Sequence, residues 1–130
     1  MKNRRYGLMI VLLFAVSLLL HACGARPDPD SIPDATPLLN FENIPDGTHR
    51  GIFTYGGFNY TVDAVAEDGK VAEIIIIANV DNQKSKEAEV VLERVVEAQS
   101  LQVDTVSGAT SSSRALLKAA ENAIRKAKQE

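Results

Sequence analysis

Hydroxyl side chains crowd one short stretch of this sequence. Residues 103–113 read Val103-Asp104-Thr105-Val106-Ser107-Gly108-Ala109-Thr110-Ser111-Ser112-Ser113, with neither helix nor strand periodicity, and a helical pattern starts where they end. Small hydroxyl residues at that place supply an oxygen for the unpaired N–H groups of a helix start. Four consecutive hydroxyls, Thr110 to Ser113, exceed what one cap requires. The same N–H groups, backed by the helix dipole, also make a phosphate site, and Gly108 beside Ala109 lets the backbone come close to a ligand. Spacing by itself leaves the cap and the phosphate site both open. A nucleophile activated within the chain is disfavoured, because no base is evident near Thr110 and His49 is far away in sequence.

The elements that must position this segment follow from periodicity. Strand signals cover residues 51–55, 59–66 and 71–78. In the second, Tyr60, Val62, Ala64 and Ala66 alternate with Thr61, Asp63, Val65 and Glu67, as in a sheet with one face toward a core. Asp68-Gly69 is a two-residue type I′ hairpin signal. The run Ile74 to Ile77 is most easily covered on both faces, which places the third strand inside the sheet. Residues 84–99 show a helical stripe of Ala88, Val91, Leu92, Val95 and Val96, with Glu87, Glu89, Glu93, Arg94 and Glu97 on a solvated face. A second helix over residues 112–128 carries Leu116, Ala120, Ala123, Ile124 and Ala127 on one side, and its alanines suggest close approach to the sheet. The fold class is α+β, a small antiparallel sheet with two helices packed on one face, and residues 101–103 are a candidate fourth strand.

The N-terminus bears on compartment. Lys2, Arg4 and Arg5 precede an apolar run over residues 7–20, too short for the about 20 residues of a membrane-spanning helix, so residues 1–22 read as a secretory signal peptide. Leu20, Ala22 and Cys23 resemble the lipobox of bacterial lipoproteins, with His21 departing from it, and that resemblance implies a diacylated Cys23 as the mature N-terminus. Cys23 is the one cysteine in the chain, so no intrachain disulfide accounts for it. Two acyl chains suffice for stable anchoring. Residues 23–46 hold all five prolines among Asp28, Asp30 and Asp34 and read as a lipid-anchored tether. Losing Lys2, Arg4 and Arg5 with the signal takes the formal charge from −3 to −6, which excludes nucleic acid as a natural partner. Residues 47–130 remain for one small folded domain.

The hydroxyl segment then finds a precedent. Asp104-Thr105-Val106-Ser107-Gly108-Ala109-Thr110 resembles the Asp-x-x-Ser/Thr-Gly-Ala-Ser/Thr flavinylation motif of the FMN-binding domain family, known from the sodium-pumping NADH:quinone reductase, the related Rnf complex and small secreted lipoproteins. Asp46 to Gly51, Tyr55-Gly56-Gly57-Phe58 and Asp68-Gly69-Lys70-Val71 follow the family's usual order, so the resemblance covers nearly all of residues 46–127. It implies FMN covalently esterified to Thr110 by a separate flavin transferase using magnesium. Asp104, Ser107, Gly108 and Ala109 would form the recognition sequence, and Ser111 or Ser112 would help hold the phosphate. Arg114 is either a phosphate partner or an exposed helix cation, and Tyr55, Phe58 and Tyr60 either pack on the ring or belong to the core. The function implied is an extracytoplasmic electron-transfer lipoprotein between a membrane redox donor and an extracytoplasmic acceptor. A flavin-carrying subunit of a membrane reductase and a flavin-free surface lipoprotein are the alternatives.

Overall fold

The computed structural model describes residues 32–35 and 39–130. The expected signal peptide, Cys23 and the first part of the tether lie outside the described residues. Three strands, β1 (Gly47–Tyr55), β2 (Phe58–Glu67) and β3 (Lys70–Ala78), form one antiparallel sheet in the order β1-β2-β3. Helices α1 (Gln83–Ala88), α2 (Val90–Ala98) and α3 (Thr110–Ala127) follow. Both hairpins turn on two residues of positive φ, Gly56 (60°) with Gly57 (81°) and Asp68 (52°) with Gly69 (78°). That is the type I′ geometry whose twist matches the strands it joins.

The core lies between one face of the sheet and the helices. Tyr60, Val62, Ala64 and Ala66 of β2 are buried against Leu116, Ala119, Ala120, Ala123 and Ile124 of α3. The expected close approach occurs at Gly51, paired in register with Val62, where a Cβ would collide with the backbone of Ala119 and Ala123. Small residues on both partners let helix and strand backbones touch.

Three expectations need correction. β3 is an edge strand, not an interior one: Ile74 and Ile76 face α2, while Ile75 and Ile77 stand 42% and 47% exposed on the open face. Residues 101–103 add no strand, and Leu101 instead drops into the core. The first helix is broken at Glu89, where Glu89 N–H bonds Lys86 O (3.2 Å) and Leu92 N–H bonds Glu89 O (3.0 Å), the tighter i−3 spacing of a 3₁₀ turn. The region expected as tether also changes character in its described part. Ile32, Ala35, Phe41 and Ile44 are buried, because apolar side chains between the prolines gain more from the core than from water. Among the described residues no helix is long and apolar enough to cross a membrane.

Candidate functional site

Helix α3 starts at Thr110, two residues earlier than its periodicity predicts, and its N-cap is Ala109. No side chain caps it. Ser113, one of the hydroxyls expected to do so, is otherwise engaged: its Oγ accepts from Val106 N–H (3.1 Å) and donates to Ala109 O (2.9 Å), bracing the loop against the first turn. Alanine at an N-cap gives up about 0.5–2 kcal/mol relative to Ser, Thr, Asn or Asp. The backbone donors of the first turn, at the positive end of the dipole, are thus left without a side-chain acceptor beside four hydroxyls. Gly108 has φ 80°, and an added Cβ there would meet nothing within 4 Å, so conformation and not space calls for glycine.

Beside this helix start lies a cavity of about 270 Å³ lined by Tyr55, Gly56, Phe58, Tyr60, Val80, Asn82, Ser85, Ser111 and Ser112. The strands supply its aromatic wall and the helices its hydroxyl wall. The β1–β2 turn presents Tyr55 and Phe58 as a pair in register, Phe58 54% exposed at the rim and Tyr60 buried below. Burial pushes the Tyr60 phenol above its ordinary pKa, and a hydrogen bond with Ser112 partly offsets that. Ser112 Oγ lies 3.0 Å from Ser85 Oγ, and Ser85 N–H is held by Asn82 Oδ1 at 2.9 Å. Tyr60, Ser112, Ser85 and Asn82 thus link β2, α3 and α1 around one concavity. A larger cleft of about 650 Å³ at the β2–β3 turn, lined by Leu39 to Asn43, Asp68 to Lys70 and Gln99, contains none of the motif residues.

The structure sorts the sequence candidates into two sides. Ser111 and Ser112 line the aromatic cavity and Thr110, half-buried, is the residue just before them on the first turn. Asp104 is exposed on the other side, in clefts it shares with Thr105 and Val103, and its carbonyl accepts from Arg94 (2.6 Å). Ser107 and Gly108 are exposed and Ala109 is buried. Arg114 lines Asp104's cleft and pairs through Nε with Asp34 Oδ1 at 3.3 Å, so it is neither a solvated cation nor a wall of the aromatic cavity. His49 bonds Pro45 O (2.9 Å) and faces Glu130 beyond the far end of α3, a helix about 27 Å long. It cannot serve Thr110 as a base.

Val80, Asn82 and Ser85 were not singled out from the sequence. One signal was present: Ser85 sits one turn before Ala88 on the apolar stripe, a polar residue at a core position.

The model of the FMN-binding domain family matches residues 55–125, more than half of the chain, from the first wall of the aromatic cavity to the last turns of α3. The chain belongs to the FMN-binding domain family. A comparison with curated proteins found no match. As a member of this family the protein is a flavin-binding protein, and its cavity suits that cofactor. Aromatic faces on one wall accommodate an isoalloxazine, and an uncapped helix start accommodates a phosphate. The volume falls below the about 300–1,000 Å³ of pockets that enclose a small molecule, so the cavity would cover a bound ring only in part.

Proposed function

We propose that this protein is an extracytoplasmic electron carrier with FMN held through a phosphoester to the Thr110 hydroxyl, anchored to a membrane by acyl chains on Cys23. The observation that carries the flavin part is the start of α3: Thr110 opens a helix whose N-cap is alanine, next to hydroxyls that line an aromatic cavity. Loading would be done by a flavin transferase with magnesium. The Thr110 oxygen–phosphorus bond forms as the diphosphate of FAD breaks, AMP leaves, and the hydroxyl proton passes to the transferase or solvent. Asp104, Ser107 and Gly108 are exposed in the loop that leads into Thr110, where a transferase would read them.

When bound, FMN supplies one- and two-electron chemistry, and the protein supplies position and electrostatics. N–H groups of the first turn of α3 would hold the phosphate and offset its charge. Tyr55, Phe58 and Tyr60 would border the ring, and the Tyr60 phenol, kept protonated to higher pH by burial, bonds Ser112. A covalent bond keeps the cofactor on a protein bathed in a medium that contains none. The lipobox-like residues Leu20, Ala22 and Cys23 support the anchor.

Intact mass spectrometry of the chain made with an active transferase tests this reading. The wild type should carry one FMN less water, Thr110→Ala none, and Thr110→Ser a detectable fraction. Label persisting on Thr110→Ala, mapped to Ser111 or Ser112, sinks the assignment.

A further inference from the structure

Another concavity, about 470 Å³, runs between β3 and α2, with Ile74, Ile76, Leu92 and Val96 on its floor. Its helix-side rim is carboxylate, Glu89, Glu93 and Glu97, while Glu73 borders it from β3, where pairing with Val65 turns its side chain to the open face with Ile75. The three helix-side glutamates recur at every fourth position, Glu93 and Glu97 on α2 and Glu89 as its N-cap. Like charges at that spacing repel by about 0.2–0.5 kcal/mol per pair in a helix. No ion pair among the described residues involves any of these four glutamates. Glu89 takes one hydrogen bond from Asn79 (2.8 Å), which also donates to Ser85 O (2.9 Å), so the groove adjoins the aromatic cavity.

The edge of β3 above this groove is protected against strand addition. Gln99 closes on Val71 with its side-chain amide, accepting from Val71 N–H (3.1 Å) and donating to Val71 O (2.8 Å). Two register irregularities in the β2–β3 pairing interrupt the ladder toward both ends of β3. Bulges, a Glu on the strand and a side chain occupying backbone groups are devices that deter pairing by another chain. What remains open is a side-chain groove, apolar below and acidic on its helix bank.

We propose that this groove docks an amphipathic helix of a partner protein that carries Lys or Arg at every fourth position beside an apolar stripe. Charge complementarity selects that occupant. A row of glutamates along α2 advances about 6 Å per step, which a helix lying alongside matches with cations four residues apart. The apolar stripe meets Ile74, Ile76 and Val96. An anionic membrane surface is repelled by the same rim. A partner seated here is held beside the aromatic cavity. The docking itself does not rest on the flavin reading, because the groove contains none of the motif residues.

The test uses the full chain, ¹⁵N-labelled, in phosphatidylcholine nanodiscs. The probe is a synthetic Leu/Lys helix of about five turns with Lys at every fourth position. Its isomer with Glu for Lys and empty nanodiscs serve as controls. The expected result is amide shift changes concentrated at residues 73–76 and 89–97 with the Lys peptide alone. The affinity should fall about tenfold or more in E89Q/E93Q/E97Q, and also between about 0.1 and about 1 M salt, where the Debye length shrinks from about 10 to about 3 Å. Thr110→Ala should bind the peptide like the wild type, so loss of flavin and loss of docking are read separately. Four results would overturn the proposal: shifts spread elsewhere, affinity indifferent to the glutamates, concentration-dependent dimers occupying the groove, or binding only after residues 1–22 are removed. The last two would assign the groove to a second copy or to the chain's own basic N-terminus.

Discussion

The Ser85 and Ser112 hydroxyls, 3.0 Å apart, join α1 to the first turn of α3, and the Tyr60 phenol extends the link to β2. Residues separated by 27 positions therefore set the shape of the cavity beside Thr110.

Ser112→Ala leaves the buried Ser85 hydroxyl without this partner, which costs about 1–3 kcal/mol, read as a lower denaturation midpoint. The same change lets burial raise the Tyr60 phenol further, since Ser112 opposes that rise. A phenol whose native pKa is raised contributes stability that is full below the ordinary tyrosine value of about 10 and is lost as pH climbs past it. The variant should therefore weaken more steeply with alkali than the wild type, and Tyr60→Phe should remove that component. A midpoint and an alkaline limb both unchanged by Ser112→Ala would disconnect these groups.

On the open face of the sheet Arg50 pairs with Asp63 through two contacts of 2.7 Å across β1 and β2. The guanidinium holds the Asp63 carboxyl below its usual range, chiefly by this hydrogen bond. A depressed native pKa gives stability that is present above the unfolded carboxylate value of about 3.9 and disappears as pH falls below it. Asp63→Asn should flatten the acid limb of a pH–stability curve in that window while leaving neutral-pH absorbance of the flavin unchanged.

Gly51→Ala should damage the fold severely. Its Cβ would meet the backbone of Ala119 and Ala123 on α3, where no side chain can move aside. A loss of about 3 kcal/mol or more is expected, at the upper end of overpacking costs, in thermal or denaturant unfolding. Ordinary stability in this variant would mean that α3 does not touch β1 there.

Cys23→Ala should release the protein from the membrane fraction or stall its processing, while the folded domain retains its flavin and its melting temperature. A variant that fractionates and migrates like the wild type would remove the lipid anchor from the proposal.

Much of the architecture could be read from local pattern. Alternation at Tyr60 to Ala66 and the Asp68-Gly69 dipeptide defined the central hairpin, because side-chain alternation and positive φ are properties of neighbouring residues, whereas the burial of Thr61 and Asp63 on the other face was not foreseen. The run of small residues in α3 announced a helix pressed on a strand, and the seven-residue motif announced the family. The position of β3 was not local: four isoleucines suit an interior strand or an edge strand half-covered by α2, and only the set of neighbours decides between them. The break at Glu89 and the burial of Ile32 and Phe41 depend likewise on partners distant in the chain. The same holds at the site. Sequence alone named Thr110 and the hydroxyls after it. That Ala109 and not a hydroxyl caps α3, that Ser113 turns back to the loop while Ser112 reaches Ser85, and that Arg114 and Asp104 lie apart from the aromatic wall were settled by tertiary structure, since hydrogen bonds go to whichever groups packing brings within reach.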